Sequence, residues 1–296
     1  PEAFVSIWGK ESFVSIAMRD NFRSCVEIQN YSNLLCDDTC DLVNTGEHST
    51  DGRVLLLQTT SEKWPDDVIE LLEEGQTTAL LRYSNANAQS NAKLLSDAGR
   101  EFIYIPQAPI AEITTNAAWL YMAIARFSII ERFSVYDFIN EIPAEGENNR
   151  KNVRVVKDKL DAIISCIDEQ SFTDAVQALA LYLDCIVQNN HINKLYETIT
   201  HESFHPAIIQ DIAGDVSITF HSSKGLEFDQ VVIFAEDYRL YESTGIYNHY
   251  VASTRAKKCL IIVDNQSRNS RQFVTNLNDL IVKRGFSFES ILTVIS

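Results

Sequence analysis

The feature that most constrains the fold is a pair of apolar segments joined by a short charged turn, at residues 216–235. In the first segment, Val216, Ile218 and Phe220 alternate with polar residues, which is the period of a β-strand with two different faces. The second, residues 231–235, is an unbroken apolar run typical of a strand buried on both faces. Because such a strand needs a covering layer on each side, we predict an α/β fold with a parallel sheet.

The turn between these segments carries several polar groups in a small space. Residues 222–225 break the apolar pattern, with His221, Lys224 and Glu227 in or beside the break. Gly225 lets the backbone come close to a ligand, because it has no side chain. Since open α/β sheets bind ligands at strand ends, we expect a binding site at this turn.

A second compact segment, residues 249–263, is predicted to form a short helix followed by a buried strand at 259–263. Arg255 lies between them, and small neighbours such as Ala252 and Ala256 are expected to leave its guanidinium group unobstructed. Taken alone, a Lys-Gly turn is common, and an arginine on a surface helix is usually just solvated. Both segments together, in this order and at this separation, are much more specific.

Four segments resemble motifs of the UvrD/Rep-type superfamily 1 helicases. HSSKGLEFDQVVIF resembles motif V and YVASTRAKKCLII resembles motif VI. Residues 20–34 are similar to motif IV, whose core is Asn-aromatic-Arg-Ser, and residues 79–85 are similar to the strand and turn that follow it. Within the family, the chain most resembles the helicase subunits of the Gabija antiphage defence system, in the segments NFRSCVEIQNYSNLL, FIYIPQAP and NHYVASTRAK.

The resemblance implies a RecA-like fold of the P-loop NTPase type, with this chain as the second motor lobe, interrupted by an all-helical insertion. The sequence pattern agrees, because strand signals give way to amphipathic helices after residue 106. We therefore expect the lobe to comprise residues 1–106 and 207–296, and the insertion to comprise 107–206. Periodic apolar residues in the insertion, among them Ile164 and Ile167, are expected to face a helical core.

The resemblance also implies a nucleotide site. Arg23 and Arg255 would reach the γ-phosphate of ATP as arginine fingers, because a planar, permanently charged group stabilises the transferring phosphoryl group. Phe22 would stack on the base and Glu227 would accept a hydrogen bond from the ribose. The backbone at Gly225 would lie close to the nucleotide.

By the same resemblance, single-stranded DNA would lie along Thr219, His221, Arg82 and Asn85, which would hold phosphate and sugar rather than base edges. The formal net charge of −16 disfavours a free-standing DNA-binding module, because phosphate binding depends on Lys and Arg. Either the DNA groove is locally basic, or another lobe supplies most of the phosphate contacts.

Hydrolysis of ATP also needs a phosphate cradle and a Mg²⁺ ligand. The cradle sequence G-x-x-x-x-G-K-[ST] does not occur in these residues, and neither does an apolar strand that ends in paired acidic residues. We therefore expect a first RecA-like lobe of the same protein to hold Mg²⁺ and most of the ATP. This chain alone is expected to be inactive.

The narrower resemblance implies a partner, an ATPase/nuclease subunit of the OLD (overcoming lysogenisation defect) type, in addition to single-stranded or duplex DNA. Two alternatives stay open: a housekeeping repair helicase that acts alone, and a non-enzymatic DNA- or partner-binding module. The chain has no apolar stretch long enough to cross a bilayer, and its six irregularly spaced cysteines fit a reducing cytoplasm. Cys36 and Cys40 lie one helical turn apart, but no second ligand pair matches them, so buried thiols are favoured over a metal site.

Overall fold

The computed structural model describes residues 20–21, 23–35, 44–45, 52–143, 152–209 and 214–296. Phe22, Cys36 and Cys40 lie outside these ranges. The predicted stacking of Phe22 on a nucleobase and the predicted burial of the two thiols therefore stay predictions.

Nine strands are present in the described residues: β1 (Asp20–Asn21), β2 (Asn44–Thr45), β3 (Arg53–Gln58), β4 (Thr78–Arg82), β5 (Ile103–Tyr104), β6 (Val216–Thr219), β7 (Phe228–Phe234), β8 (Ala256–Asp264) and β9 (Thr293–Ile295). β1 and β2 pair with each other. The other seven form one sheet in the order β5-β6-β4-β7-β8-β3-β9, and every neighbouring pair is parallel. The predicted α/β fold with a parallel sheet is confirmed.

The helices are α1 (Val26–Leu34), α2 (Trp64–Leu71), α3 (Asn85–Asp97), α4 (Ala118–Ile129), α5 (Val135–Asn140), α6 (Val153–Ile164), α7 (Glu169–Tyr182), α8 (Asn189–Thr200), α9 (His205–Ile209), α10 (Ser243–Ser253) and α11 (Arg268–Lys283). Helices α4 to α9 follow one another between β5 and β6. None of the helices in the described ranges is long and apolar enough to cross a membrane.

Both faces of the sheet are buried. Successive residues of a strand point to opposite sides of the sheet, so each strand contributes side chains to two cores. In β7, Val231 and Ile233 pack into one core, whereas Val232 and Phe234 pack into another. Helices α1, α10 and α11 cover the first face, and helices α2 and α3 cover the second. This two-sided burial explains why residues 231–234 of β7 are all apolar.

The helical segment between β5 and β6 has an apolar core of its own. Leu120, Phe138, Leu160, Leu179 and Leu195, from five different helices, are all buried there. The sequence pattern predicted amphipathic helices in this segment, and its described residues form helices α4 to α9. The boundaries at residues 106 and 206 stay a prediction.

Two local expectations were wrong. Ile164 and Ile167 do not face the helical core, since they are 53% and 93% exposed. Ile164 follows the buried Ile163 in α6 and projects roughly 100° away from it around the helix, whereas Ile167 lies beyond the end of the helix. Strand β8 also begins earlier than expected, because Ala256 pairs with Phe228 of β7 and so extends the parallel ladder.

Candidate functional site

Arg23 and Arg255 line the same cleft, although 232 positions separate them in the chain. Arg23 lies just before α1, and Arg255 lies between α10 and β8. The cleft has a volume of about 160 Å³, and Tyr250 and Asn33 also line it. The fold thus brings together the two cations that the sequence analysis assigned to one phosphate site.

Hydrogen bonds to the first residues of β8 hold the segment that carries Arg23. The Ser24 hydroxyl donates to the carbonyl oxygen of Ala256 at 2.8 Å. The main-chain N–H of Cys25 donates to the carbonyl oxygen of Lys257 at 2.9 Å. The start of α1 is therefore attached directly beside Arg255.

The guanidinium group of Arg255 was expected to be unobstructed, and that expectation was wrong. It donates to the carbonyl oxygen of Val251 at 3.0 Å, to that of Leu226 at 3.3 Å and to the Thr254 hydroxyl at 3.1 Å. Small residues precede it because they pack in the core, not because they clear a path for it. The direction of the guanidinium group is fixed, and it still borders the cleft.

Burial lowers the pKa of Arg255, and the nearby positive charge of Arg23 lowers it further. The Glu227 carboxylate acts in the opposite direction and raises it. Glu227 also forms an ion pair with Nε of Arg23, and its side chain remains 37% exposed. One carboxylate therefore lies close to two cations, at the amino-terminal end of β7.

Gly225 has a φ angle of +86°, in the left-handed region that favours glycine. A methyl group added at this position would meet no heavy atom within 4 Å. The glycine is therefore required by the backbone conformation of the turn and not by close packing within the chain.

The residues assigned to DNA lie at the opposite, carboxyl-terminal edge of the sheet. Thr219 is the last residue of β6, and its hydroxyl oxygen accepts from the main-chain N–H of Ser222 at 3.2 Å. His221 is exposed, and its ring centroid lies 3.8 Å from that of Phe220. Partial burial of the ring and, secondarily, the charge of Lys224 lower the pKa of His221.

Asn85 is exposed at the start of α3, and its side-chain oxygen accepts from the main-chain N–H of Gln107 at 3.5 Å. Arg82 has a different environment from the one expected. It is 3% exposed, and its guanidinium group pairs at 2.9 Å with both Glu236 and Asp237. The charge of Arg82 is therefore enclosed and compensated within the chain, and its expected contact with DNA stays a prediction.

Residues 220–227 run from the carboxyl-terminal end of β6 to the amino-terminal end of β7. β7 has seven residues, so the two edges lie roughly 20 Å apart. This loop therefore joins Thr219 and His221 at one edge to Glu227 at the other. The sequence predicted ligands at strand ends but did not separate the two edges, because strand order is not readable from local pattern.

The cleft fits an anion better than a metal ion. It presents two arginines, and in the described ranges no three His, Cys, Asp or Glu side chains are grouped to hold a metal. Triphosphate oxygens are suitable partners for such guanidinium groups. The anchoring role of Ser24 was not predicted, and only its place in the Asn-aromatic-Arg-Ser core could have signalled it.

Residues 135–267 match the family model of the UvrD-like helicase C-terminal domain. The chain is also 30% identical over 300 residues to Gabija protein GajB of Bacillus cereus (strain VD045), and the match covers 96% of this chain and 58% of that protein. The chain thus spans little more than half the length of this relative. A solved structure titled as the C-terminal domain of a "possible DNA helicase" from Lactobacillus plantarum WCFS1 overlaps 93% of this chain and 98% of its own, with 13% identity and a TM-score of 0.41.

Proposed function

We propose that this chain, which is similar to the UvrD-like helicase C-terminal domain and to Gabija protein GajB, is the C-terminal lobe of a UvrD-type protein and forms one half of the ATP site of a DNA helicase or translocase. The observation that carries the proposal is the shared cleft of Arg23 and Arg255, with Glu227 beside them. Two permanently charged groups directed at one small cleft suit the γ-phosphate of a nucleoside triphosphate.

In this proposal, Arg23 and Arg255 stabilise the charge that spreads over the transferring phosphoryl group. Arginine fingers of this kind accelerate phosphoryl transfer by roughly 10³–10⁵-fold. Glu227 accepts a hydrogen bond from the ribose, Phe22 stacks on the base, and the backbone at Gly225 approaches the nucleotide. Mg²⁺ supplies charge neutralisation between the phosphates when bound, and a first RecA-like lobe holds it.

Single-stranded DNA lies along His221 and Asn85 at the carboxyl-terminal edge of the sheet, where the buried Thr219 holds the turn that follows β6. ATP bridges the two motor lobes, so its binding favours their closed arrangement and its hydrolysis allows them to separate. The loop 220–227 touches both edges, which gives the nucleotide site a direct mechanical connection to the DNA site. Arg82 supports the strand ends from within and is not part of the DNA contact.

The similarity to GajB supports a finer proposal, that the complete protein is the helicase subunit of a Gabija antiphage complex in the bacterial cytoplasm. Its partner would be an ATPase/nuclease subunit of the OLD type, and the helical segment between β5 and β6 would act as an insertion subdomain. Co-purification of a nuclease subunit distinguishes this assignment from a repair helicase that acts alone.

The test uses the complete protein that contains this lobe. Arg255→Ala and Arg23→Ala are each expected to lower the turnover number of DNA-stimulated ATP hydrolysis by about 10³-fold or more. Arg271→Ala, which removes an exposed arginine on α11, is the matched control and should retain normal turnover. Near-normal turnover of Arg255→Ala would remove the assignment.

A further inference from the structure

Ser24 directly follows Arg23, and Ala256 directly follows Arg255. The hydrogen bond of 2.8 Å from the Ser24 hydroxyl to the Ala256 carbonyl oxygen therefore joins the residues adjacent to both arginines. It is buried, since Ser24 is only 8% exposed. Because the linked atoms belong to the immediate neighbours of the two arginines, this bond constrains the spacing of Arg23 and Arg255.

The segment that carries Arg23 has little regular structure to hold it. Residues 23–25 precede α1, and the residue that caps this helix, Cys25, makes no capping bond with its side chain. A serine near the start of a helix can cap that helix with its hydroxyl. Here its hydroxyl is bonded instead to a residue 232 positions away in the sequence.

Ser24 is also held through its main chain. The side-chain amide of Gln29, which is buried, donates to the Ser24 carbonyl oxygen. Both polar ends of Ser24 are therefore engaged, one by β8 and one by α1. A residue fixed in this way transmits the position of β8 to Arg23.

The two arginines need such an attachment because they carry like charges in one cleft. Glu227 offsets part of their repulsion, but it lies at the surface, with 37% of its side chain exposed. Catalytic groups that act on one phosphoryl group must be placed closely, and a misplacement of about 1 Å can cost about 10²-fold in rate. A buried bond between neighbouring residues supplies that precision.

We propose that Ser24 is a positioning residue, which sets the spacing of Arg23 and Arg255 for their action on one phosphoryl group. This inference rests on the proposed function, since it gives the two arginines a common substrate. Ser24 touches neither the nucleotide nor the reacting atoms. Its effect is exerted through the two guanidinium groups.

The experiment measures DNA-stimulated ATP hydrolysis by the complete protein, with kcat and KM determined separately, together with the unfolding temperature. Ser24→Ala is expected to lower kcat by 10- to 100-fold and to change the KM for ATP by less than threefold, because the lost interaction acts mainly in the transition state. Ser24→Thr keeps the hydroxyl and should recover most of kcat. Ser24→Cys keeps the volume with a weaker donor and should give an intermediate kcat, and it decides the question if Ser24→Ala fails to fold.

The matched control is Ser217→Ala. Ser217 is buried in β6, and its hydroxyl donates to the main-chain carbonyl oxygen of Ala88 at 2.7 Å, so the same kind of bond is removed away from the arginines. It should lower the unfolding temperature as Ser24→Ala does, with kcat unchanged. An unchanged kcat in Ser24→Ala, or an equal fall of kcat in Ser217→Ala, overturns the inference.

Arg255→Ala in the same assay separates this inference from the proposed function. If Arg255→Ala turns over normally, the arginine site itself is wrong. If Arg255→Ala loses turnover while Ser24→Ala and Ser24→Cys keep it, only the positioning role fails. In the double variant, adding Ser24→Ala to Arg255→Ala should lower kcat by much less than it does in the wild type.

Discussion

The hydroxyl of Tyr31 lies 2.6 Å from Nε2 of His249, and both side chains are fully buried. This bond connects α1, which follows Arg23, to α10, which leads to Arg255. The rings of Tyr238 and Phe273 pack edge-on against the imidazole, with centroids 4.8 Å and 5.0 Å away. Tyr31 therefore attaches α1 to the helix that precedes Arg255, whereas Ser24 attaches the start of α1 to the strand that follows Arg255.

Tyr31→Phe removes the hydroxyl and leaves the ring in place. The variant should lower the free energy of unfolding by about 1–3 kcal/mol, because the imidazole nitrogen is left buried without its partner. Chemical denaturation at pH 7 measures the change. Tyr136→Phe, which alters a side chain that is 65% exposed, is the control and should leave stability unchanged. A Tyr31→Phe variant as stable as the wild type would show that this bond contributes nothing.

His249 should make stability depend on pH. Burial lowers its pKa from 6.5 to about 3, so the folded chain keeps the ring neutral while the unfolded chain protonates it below pH 6.5. The folded state therefore loses stability as the pH falls from 6.5 towards 3, and the contribution is complete above 6.5. At pH 5 the loss from this residue should be about 2 kcal/mol.

His249→Gln provides the comparison for this pH effect, because glutamine is polar but does not titrate. Denaturation midpoints of both proteins are measured between pH 7 and pH 5. The wild type should lose more stability over this interval than the variant does. Parallel pH profiles for the two proteins would contradict the assigned role of His249.

The strands were predictable because their signals are local. The alternation before Thr219 and the apolar run of β7 indicate burial without any knowledge of their neighbours. The partnership of Tyr31 with His249 had no such signal, because it joins residues 218 positions apart. Each of these two residues fits an ordinary helix by itself.

The sequence could indicate which residues are candidates for the site, but not the surroundings of each side chain. Motif resemblance selected Arg23, Glu227 and Arg255, and the fold places them together. It could not tell that Arg82 is enclosed, because that depends on β4 lying next to β7, whose following turn supplies Glu236 and Asp237. Strand order is a property of the whole chain, and so is the compensation of a buried charge.

Glu227 should set the preference for ribose. The wild-type complete protein is expected to use ATP about tenfold or more better than the analogue that lacks the hydroxyl bonded by Glu227, since bonds to charged groups are worth about 1.5–3 kcal/mol. In Glu227→Ala the ratio of kcat/KM between ATP and its 2′-deoxy or 3′-deoxy analogue should fall close to one. Glu227→Ala also removes the ion pair with Arg23. Any general loss of activity from that change affects both substrates and cancels in the ratio.

Glu62→Ala, at an exposed glutamate of another surface, is the control and should keep the full preference for ATP. A Glu227→Ala variant that still discriminates against both deoxy analogues would assign the ribose contact to another residue.

Arg82 should act on stability and not on DNA affinity. Its guanidinium group lies 3.8 Å above the ring of Phe234 and pairs with two carboxylates. Burial raises the pKa of Asp237, an effect that Arg82 partly offsets. Burial also acts to raise the pKa of Glu236, but hydrogen bonds from Asn265 and Arg82 outweigh it and lower the pKa. Arg82 thus offsets part of the cost of burying these two carboxylates.

Arg82→Met keeps an unbranched apolar side chain at this position while it removes the guanidinium group and its charge. The free energy of unfolding should fall by about 3–5 kcal/mol, because the change leaves buried carboxylates uncompensated. Adding Asp237→Asn should restore part of that loss, since one of the two uncompensated charges is then removed. If Arg82→Met instead kept wild-type stability and weakened binding of a single-stranded oligonucleotide, the arginine would be a DNA contact after all, as the motif resemblance had implied.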